Sequence, residues 1–404
     1  MSHSDQQNLL RAEAELLLTE ARKKKSERTK TLGDPIQLAG KALAIIVRDG
    51  YAWIGENTTI ARKVDLQTGK TLQMYRGHTG PVTCLAFHDK VLGSRDNAIL
   101  VTGSWDQSIK LWDTTTKALI CSTPEAHSDF VKCLFVIPSL QLLVSGGSDK
   151  IVRFWDLAHI TEDAPLTSVG SISSHTRPVE CLDGFSESPT SAVLYTADTM
   201  GVIKLWDLDK NEGRWRSTLR TELNHHRTRI NEMIFGNGQL WTASSDETVQ
   251  VLEKPLDPAT TKLFPPITHP VAVRAILPLV MTDLAEPYVI TGAGDVIRIY
   301  DVSSPDEPEL LGEVDAHWHD VTALRLWVRK SFGADGQTRV EPWVISASLD
   351  GTIRKWRLSE LLHPPPPAAV DVPEPAVTPA IVEEEGGFKM TEEEERELAE
   401  LLED

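Results

Sequence analysis

The chain has 404 residues, a formal net charge of −18 and 41% hydrophobic residues, the balance of a water-soluble globular protein. No apolar run is long enough to cross a bilayer. Four cysteines without a CxxC pair exclude a disulfide framework or zinc knuckle and point to a reducing intracellular compartment, cytoplasmic or nuclear.

The charge is unevenly spread. Residues 364–404 carry 13 acidic and 2 basic side chains, residues 1–33 carry 5 and 7, and the body between them is acidic. An acidic body repels phosphate backbones and disfavours direct nucleic-acid binding. The N-terminus lacks a basic stretch followed by an apolar core, so it does not read as a secretory signal.

Residues 4–30 read as a helix. Ser4 can cap it with Gln7 three positions on, and Leu10, Ala14, Leu17, Leu18 and Ala21 form an apolar stripe. That stripe suits either the flank of the protein's own body or a partner helix. The closing run ARKKKSERTK complements the negative end of a helix, and it also has the composition of a nuclear-import signal. Next, DPIQLAG (34–40) and residues 41–70 give short strand-like runs between turn signals.

From residue 78 the chain repeats itself. GHTGPVTCLAF, AHSDFVKCLFV, SHTRPVECLDG, HHRTRINEMIF, THPVAVRAILP and AHWHDVTALRL each place a histidine (78, 127, 175, 226, 269, 317) four residues before Val or Ile. A second block follows each opening, as in LVTGSWDQSIKLWD. It carries a hydroxyl (Thr102, Ser145, Thr196, Thr242, Thr291, Ser346) and, four residues later, a carboxylate (Asp106, Asp149, Asp246, Asp295, Asp350). An aromatic usually closes the block. Within blocks, apolar and polar residues alternate with the period of short antiparallel strands.

These units resemble WD40 repeats, with a GH opening, a WD close and a spacing near forty residues. The resemblance covers residues 34–363 and implies an all-β, seven-bladed β-propeller, with residues 41–70 as a degenerate first blade. It also implies that His, Ser/Thr, Asp and Trp form a hydrogen-bonded tetrad bracing each blade. Three units match fully: His78, Thr102, Asp106 and Trp112; His127, Ser145, Asp149 and Trp155; His317, Ser346, Asp350 and Trp356. A catalytic triad is a single site beside an oxyanion hole, whereas this set recurs about once per repeat, which makes it scaffolding.

Three units depart from the pattern. Met200 stands where Asp is expected in the fourth blade, Leu252 replaces Trp in the fifth, and Tyr300 comes one residue early in the sixth. Those blades should be held less tightly. The last repeat runs into HPPPPAA without an outer strand, so DPIQLAG is expected to fill that edge and close the ring. Cys84, Cys133 and Cys181 share one repeat position and read as small core fillers. Glu232 holds that position in the fifth unit, a sign of a local contact or a shifted register.

Loops entering the inner strands and the Asp-bearing turns share one face of a propeller. The large side chains there are Trp105, Phe130, Arg177, Arg229, Trp318 and His319, types enriched in protein-binding surfaces, and the family commonly docks peptides on this face. The opposite face carries insertions at 88–99, 278–287 and 329–342 and DKNEGRWRS after the fourth-blade Trp. Residues 364–404 form a Pro-rich, acidic tail expected to be disordered. Thr391 and Glu394 offer a capping box for a short terminal helix, which would either fold on a partner or serve as a solvated acidic end.

No P-loop, dinucleotide fingerprint, nucleophile elbow or metal-ligand cluster appears, so no catalytic, cofactor or metal residues and no small-molecule substrate are assigned. The functional expectation is a non-enzymatic scaffold that binds proteins or peptides through its faces and terminal segments. A substrate receptor of a cullin-type ubiquitin ligase is a second reading, weakened because no WD close is followed by Arg two residues on. An RNA-processing or ribosome-assembly scaffold is a third.

Overall fold

The computed structural model describes residues 16–17, 19–89, 98–256, 260–332 and 338–363. The period-two runs form seven antiparallel sheets, each a meander from an inner strand outwards. The inner strands of blades one to seven are Ala42–Arg48, Val82–Asp89, Val131–Ile137, Val179–Ser188, Ile230–Gly236, Val273–Pro278 and Val321–Phe332. In blade five the outer strand is split into Lys262–Leu263 and Ile267–Thr268, separated by a segment that includes Pro265 and Pro266.

The core lies between blades. Among the described residues, seven apolar clusters each join one blade to the next, and one of them joins blade seven to blade one through Ile45, Ile54, Trp327 and Ile345. A sheet with two apolar faces cannot bury both alone, so the ring is the smallest arrangement that hides them all. Small residues let neighbouring blades close up. A Cβ on Gly103 would meet Val131 of the next blade at 2.7 Å, and one on Gly146 would meet Val179 at 2.9 Å.

Every inner strand opens with a β-bulge, at Ala42/Ala44, Val82/Cys84, Val131/Cys133, Val179/Cys181, Ile230/Glu232, Val273/Ala275 and Val321/Ala323. The skipped residue can reach sideways to the next blade. Thr83 Oγ1 donates to the Val131 carbonyl at 2.6 Å, Asn231 Nδ2 to Val273 at 2.7 Å and Thr322 Oγ1 to Ala42 at 3.3 Å.

The ring closes through the chain's own start. Ile36–Gln37 pairs antiparallel with Thr352–Arg357, aligning Ile36 with Ile353 and Gln37 with Thr352. The Leu38 amide donates to Gly351, and the Lys355 amide donates to Gly33 at 2.6 Å. Upstream, residues 19–28 are helical. Lys25 lies 2.6 Å from Asp295 and pairs with Asp315, as does Arg28, while buried Arg354 donates to the carbonyls of Thr29 and Leu32. This segment is thus docked on blades six and seven. Leu17 and Ala21 of the expected apolar stripe are exposed; Leu10, Ala14, Leu18 and the Ser4 cap lie outside the described residues, as does the tail 364–404.

Two expected insertions are strand extensions instead. Residues 329–342 largely prolong the blade-seven hairpin Val321–Phe332/Thr338–Ser348, and DKNEGRWRS lengthens the blade-four hairpin Ile203–Asn211/Arg214–Leu223. Alternating apolar residues such as Trp215 and Trp327 continue the strand pattern past the ring, and both are buried.

Candidate functional site

In blade two, His78 Nδ1 donates to Asp106 at 2.8 Å, Nε2 accepts from Thr102 at 2.7 Å, and Trp112 Nε1 donates to the same hydroxyl at 2.9 Å. Blade three repeats this with His127 to Asp149 at 2.9 Å, Ser145 at 2.8 Å and Trp155 at 2.8 Å. Blade seven does so with His317 to Asp350 at 2.8 Å, Ser346 at 2.8 Å and Trp356 at 2.9 Å. Burial alone would raise the Asp106 carboxyl, but hydrogen bonds from His78, Ser108 and the Thr79 amide outweigh it and hold it well below the usual carboxylate range. Each hydroxyl is fully buried and spent on two ring partners, which leaves it no path to a substrate and makes the set a strut.

The irregular blades differ in instructive ways. Blade four is complete after all: Asp198, two residues after Thr196, takes the carboxylate role. It receives His175 Nδ1 at 3.2 Å and the amides of Met200 and Val202, while Trp206 donates to Thr196 at 2.9 Å. The carboxylate enters from the other side of the turn, so the expectation of a loosened fourth blade is corrected. In blade five, Leu252 leaves Thr242 without an indole partner, and His225 Nε2 lies 3.3 Å from that hydroxyl instead. Burial pushes the His225 imidazole down to about 3, with neighbouring His226 adding to it.

Blade six has a tighter hairpin, in which Ala293 pairs with Val296 and Thr291 with Arg298, so Tyr300 occupies the Trp level despite coming one residue early. Asp295 turns away to Lys25, and His269 Nδ1 is left with the Ile267 carbonyl at 3.3 Å. Blade one replaces the tetrad by Ile54 and Val64 at the hydroxyl and Trp levels and by a buried Glu56–Arg62 pair.

On the face carrying these turns, Trp105 and Phe130 are 40% and 38% exposed and stack with centroids 4.8 Å apart at 16°. Exposed Arg177 has no polar partner among the described residues. Arg229 donates to Glu180 at 2.8 Å, to which Lys132 also comes within 3.6 Å. Trp318 and His319 are only half-buried neighbours, 5.9 Å apart, with Arg274–Asp320 (2.8 Å) beside them in blades six and seven. The aromatic pair and Arg177 therefore offer free surface, whereas Arg229 is already engaged.

Lys132, Glu180 and Arg274 give no signal of their own in the sequence. All three are bulge residues, a position whose role only pairing register reveals. Glu232 is a bulge-flanking residue that lines the channel, a cavity of about 200 Å³ walled by the inner strands of blades one, two, three, five, six and seven. Its carboxylate accepts from the Ile276 amide at 2.7 Å and pairs with Arg325 at 2.7 Å, which itself donates to the Ile45 carbonyl. That one bridge ties blade five to blades six, seven and one.

Seven meandering blades braced by His–Ser/Thr–Asp–Trp struts define a WD40-repeat β-propeller, and this chain belongs to that family. The WD domain, G-beta repeat pattern matches residues 69–113, 120–156 and 308–357, the units in blades two, three and seven. The chain is 28% identical over 322 residues to an uncharacterized WD repeat-containing protein of Schizosaccharomyces pombe, covering 76% of this chain and 74% of that one. Over 135 residues it is 33% identical to the small ribosomal subunit protein RACK1y of Oryza sativa, covering 33% of this chain and 35% of that one. Over 137 residues it is 28% identical to the ribosome biogenesis protein YTM1 of Coccidioides immitis, covering 34% and 27%.

Proposed function

We propose that the protein is a non-enzymatic intracellular scaffold, an adaptor whose face bearing Trp105, Phe130, Arg177, Arg229, Trp318 and His319 docks a segment of a partner protein. The carrying observation is the Trp105–Phe130 stack. Two large aromatic rings lie on the surface, packed on each other and braced by adjacent turns, where their exposure contributes nothing to the core. Rigid, pre-placed aromatics and arginine are the residue types that dominate binding energy at interfaces. The imidazoles, hydroxyls and carboxylates that might have done chemistry are consumed as struts, so contact surface is what remains. WD40 propellers are usually non-catalytic and typically bind proteins. The likeness to a ribosomal and a ribosome-biogenesis protein favours a ribosome-assembly scaffold as a second reading over a cullin-type receptor.

Quantitative affinity purification of the full chain and of a Trp105→Ala/Phe130→Ala variant tests this. Unfolding midpoints should match, while the co-purifying proteins fall at least ~5-fold, the loss that about 1 kcal/mol of binding energy gives. An unchanged partner set would remove the face from consideration. Ribosome-assembly components among the lost proteins would select the second reading.

A further inference from the structure

We propose that the cleft between blades two and three, on the face opposite the aromatic stack, is a binding site for a basic side chain, lysine or arginine, of a partner protein. The cleft measures about 580 Å³. Its floor is apolar: Ile99 and Leu157 are buried there and Ile160 packs beside them, a surface suited to an aliphatic stem.

Its rim is acidic. Asp113, Glu162 and Asp163 line it, and among the described residues no lysine or arginine does. Asp113 is occupied by the Thr115 and Thr116 amides of its own turn, but the carboxylates of Glu162 and Asp163 have no polar partner among the described residues. Asp163 is held in place by its backbone, which adopts φ of 60° and donates to the Ile120 carbonyl across the blade boundary at 3.0 Å.

A second observation points to a ligand. His88 is next to last in the inner strand of blade two, is only 4% exposed, lines the cleft, and has a buried Nδ1 without a hydrogen-bond partner among the described residues. Burial disfavours the charged form of this imidazole, so the neutral ring can accept a hydrogen bond from a donor that enters the cleft. A buried polar atom left unmade is costly, and an ammonium or guanidinium would satisfy it while its charge meets Glu162 and Asp163. The apolar floor, the anionic rim and the buried acceptor match the three parts of one chemical object, a cation on a hydrocarbon stem. A neutral or acidic group would leave the rim unanswered.

The test titrates the peptide acetyl-Gly-Arg-Gly-amide, and its uncharged citrulline counterpart, into full-length protein with 15N-labelled histidine rings, using His88→Gln to assign the signal. The arginine peptide should move the His88 resonance saturably, and the citrulline peptide should bind at least ~5-fold more weakly. Glu162→Gln/Asp163→Asn should lower arginine affinity ~5-fold with an unchanged melting temperature, and Trp105→Ala/Phe130→Ala should leave it intact, which separates this site from the aromatic face. No saturable His88 shift up to ~20 mM peptide, equal binding of citrulline, or undiminished binding to the double variant would each overturn the assignment.

Discussion

Ring closure can be weighed in a single experiment. Ile36 and Leu38 are each 7% exposed and pack in the cluster that joins blade seven to blade one, against residues that include Ile345 and Ile353. Truncating a buried Ile or Leu to Ala costs about 2–5 kcal/mol, and an edge segment that can relax belongs at the lower end. Ile36→Ala/Leu38→Ala should therefore destabilise by roughly 5 kcal/mol, a third or more of a typical domain's stability. Leu72→Ala, in the outer strand of blade one at 45% exposure, removes the same atoms from a wet surface and should cost under ~1 kcal/mol. Urea unfolding followed by tryptophan fluorescence reads both. If the double variant unfolds within ~1 kcal/mol of the parent, or no more easily than Leu72→Ala, then closure by the N-terminal strand is not what holds the ring.

Other consequences follow from the struts and the channel. Thr102→Val orphans the Trp112 indole and the His78 ring nitrogen and should cost about 3 kcal/mol, whereas Thr291→Val, whose hydroxyl meets one ring partner, His269, among the described residues, should cost about 1 kcal/mol less; equal losses in urea unfolding would contradict the strut assignment. Burial brings the His269 imidazole down to about 4, so the unfolded chain protonates first. The stability it supports is full above about pH 6.5 and is lost as pH falls towards 4, up to about 3 kcal/mol, and His269→Gln should flatten that acid limb. Glu232→Ala should cost about 2 kcal/mol by stranding Arg325 in the channel, and Glu232→Ala/Arg325→Met should recover part of it; a double variant weaker than the single would refute the pairing.

The blades were readable in the sequence because their hydroxyl, carboxylate and indole recur at fixed offsets that backbone geometry imposes. Fixed offsets mislead where the geometry recurs at a different spacing. Asp198 reaches His175 from two residues after its hydroxyl instead of four, and a one-residue-shorter hairpin makes Tyr300 look displaced when it is not. Counting also misjudged Trp318, whose neighbours half-cover it, and could not foresee that Arg229 is tied to Glu180, 49 positions away. The Glu232–Arg325 bridge and the His88 cleft join residues from separate blades. Their proximity is a property of the closed ring and leaves no local signature.

The closing strand has a temporal consequence. Ile36–Gln37 leaves the ribosome roughly three hundred residues ahead of its partner Thr352–Arg357, which at about 5–20 residues per second is some 15–60 s. Throughout that interval the nascent chain displays an unmatched closing strand and a growing arc with one bare apolar flank. Blades two to six can stack as they emerge, yet the assembly is committed only by the last hairpin, and chaperone demand should peak just before that hairpin emerges.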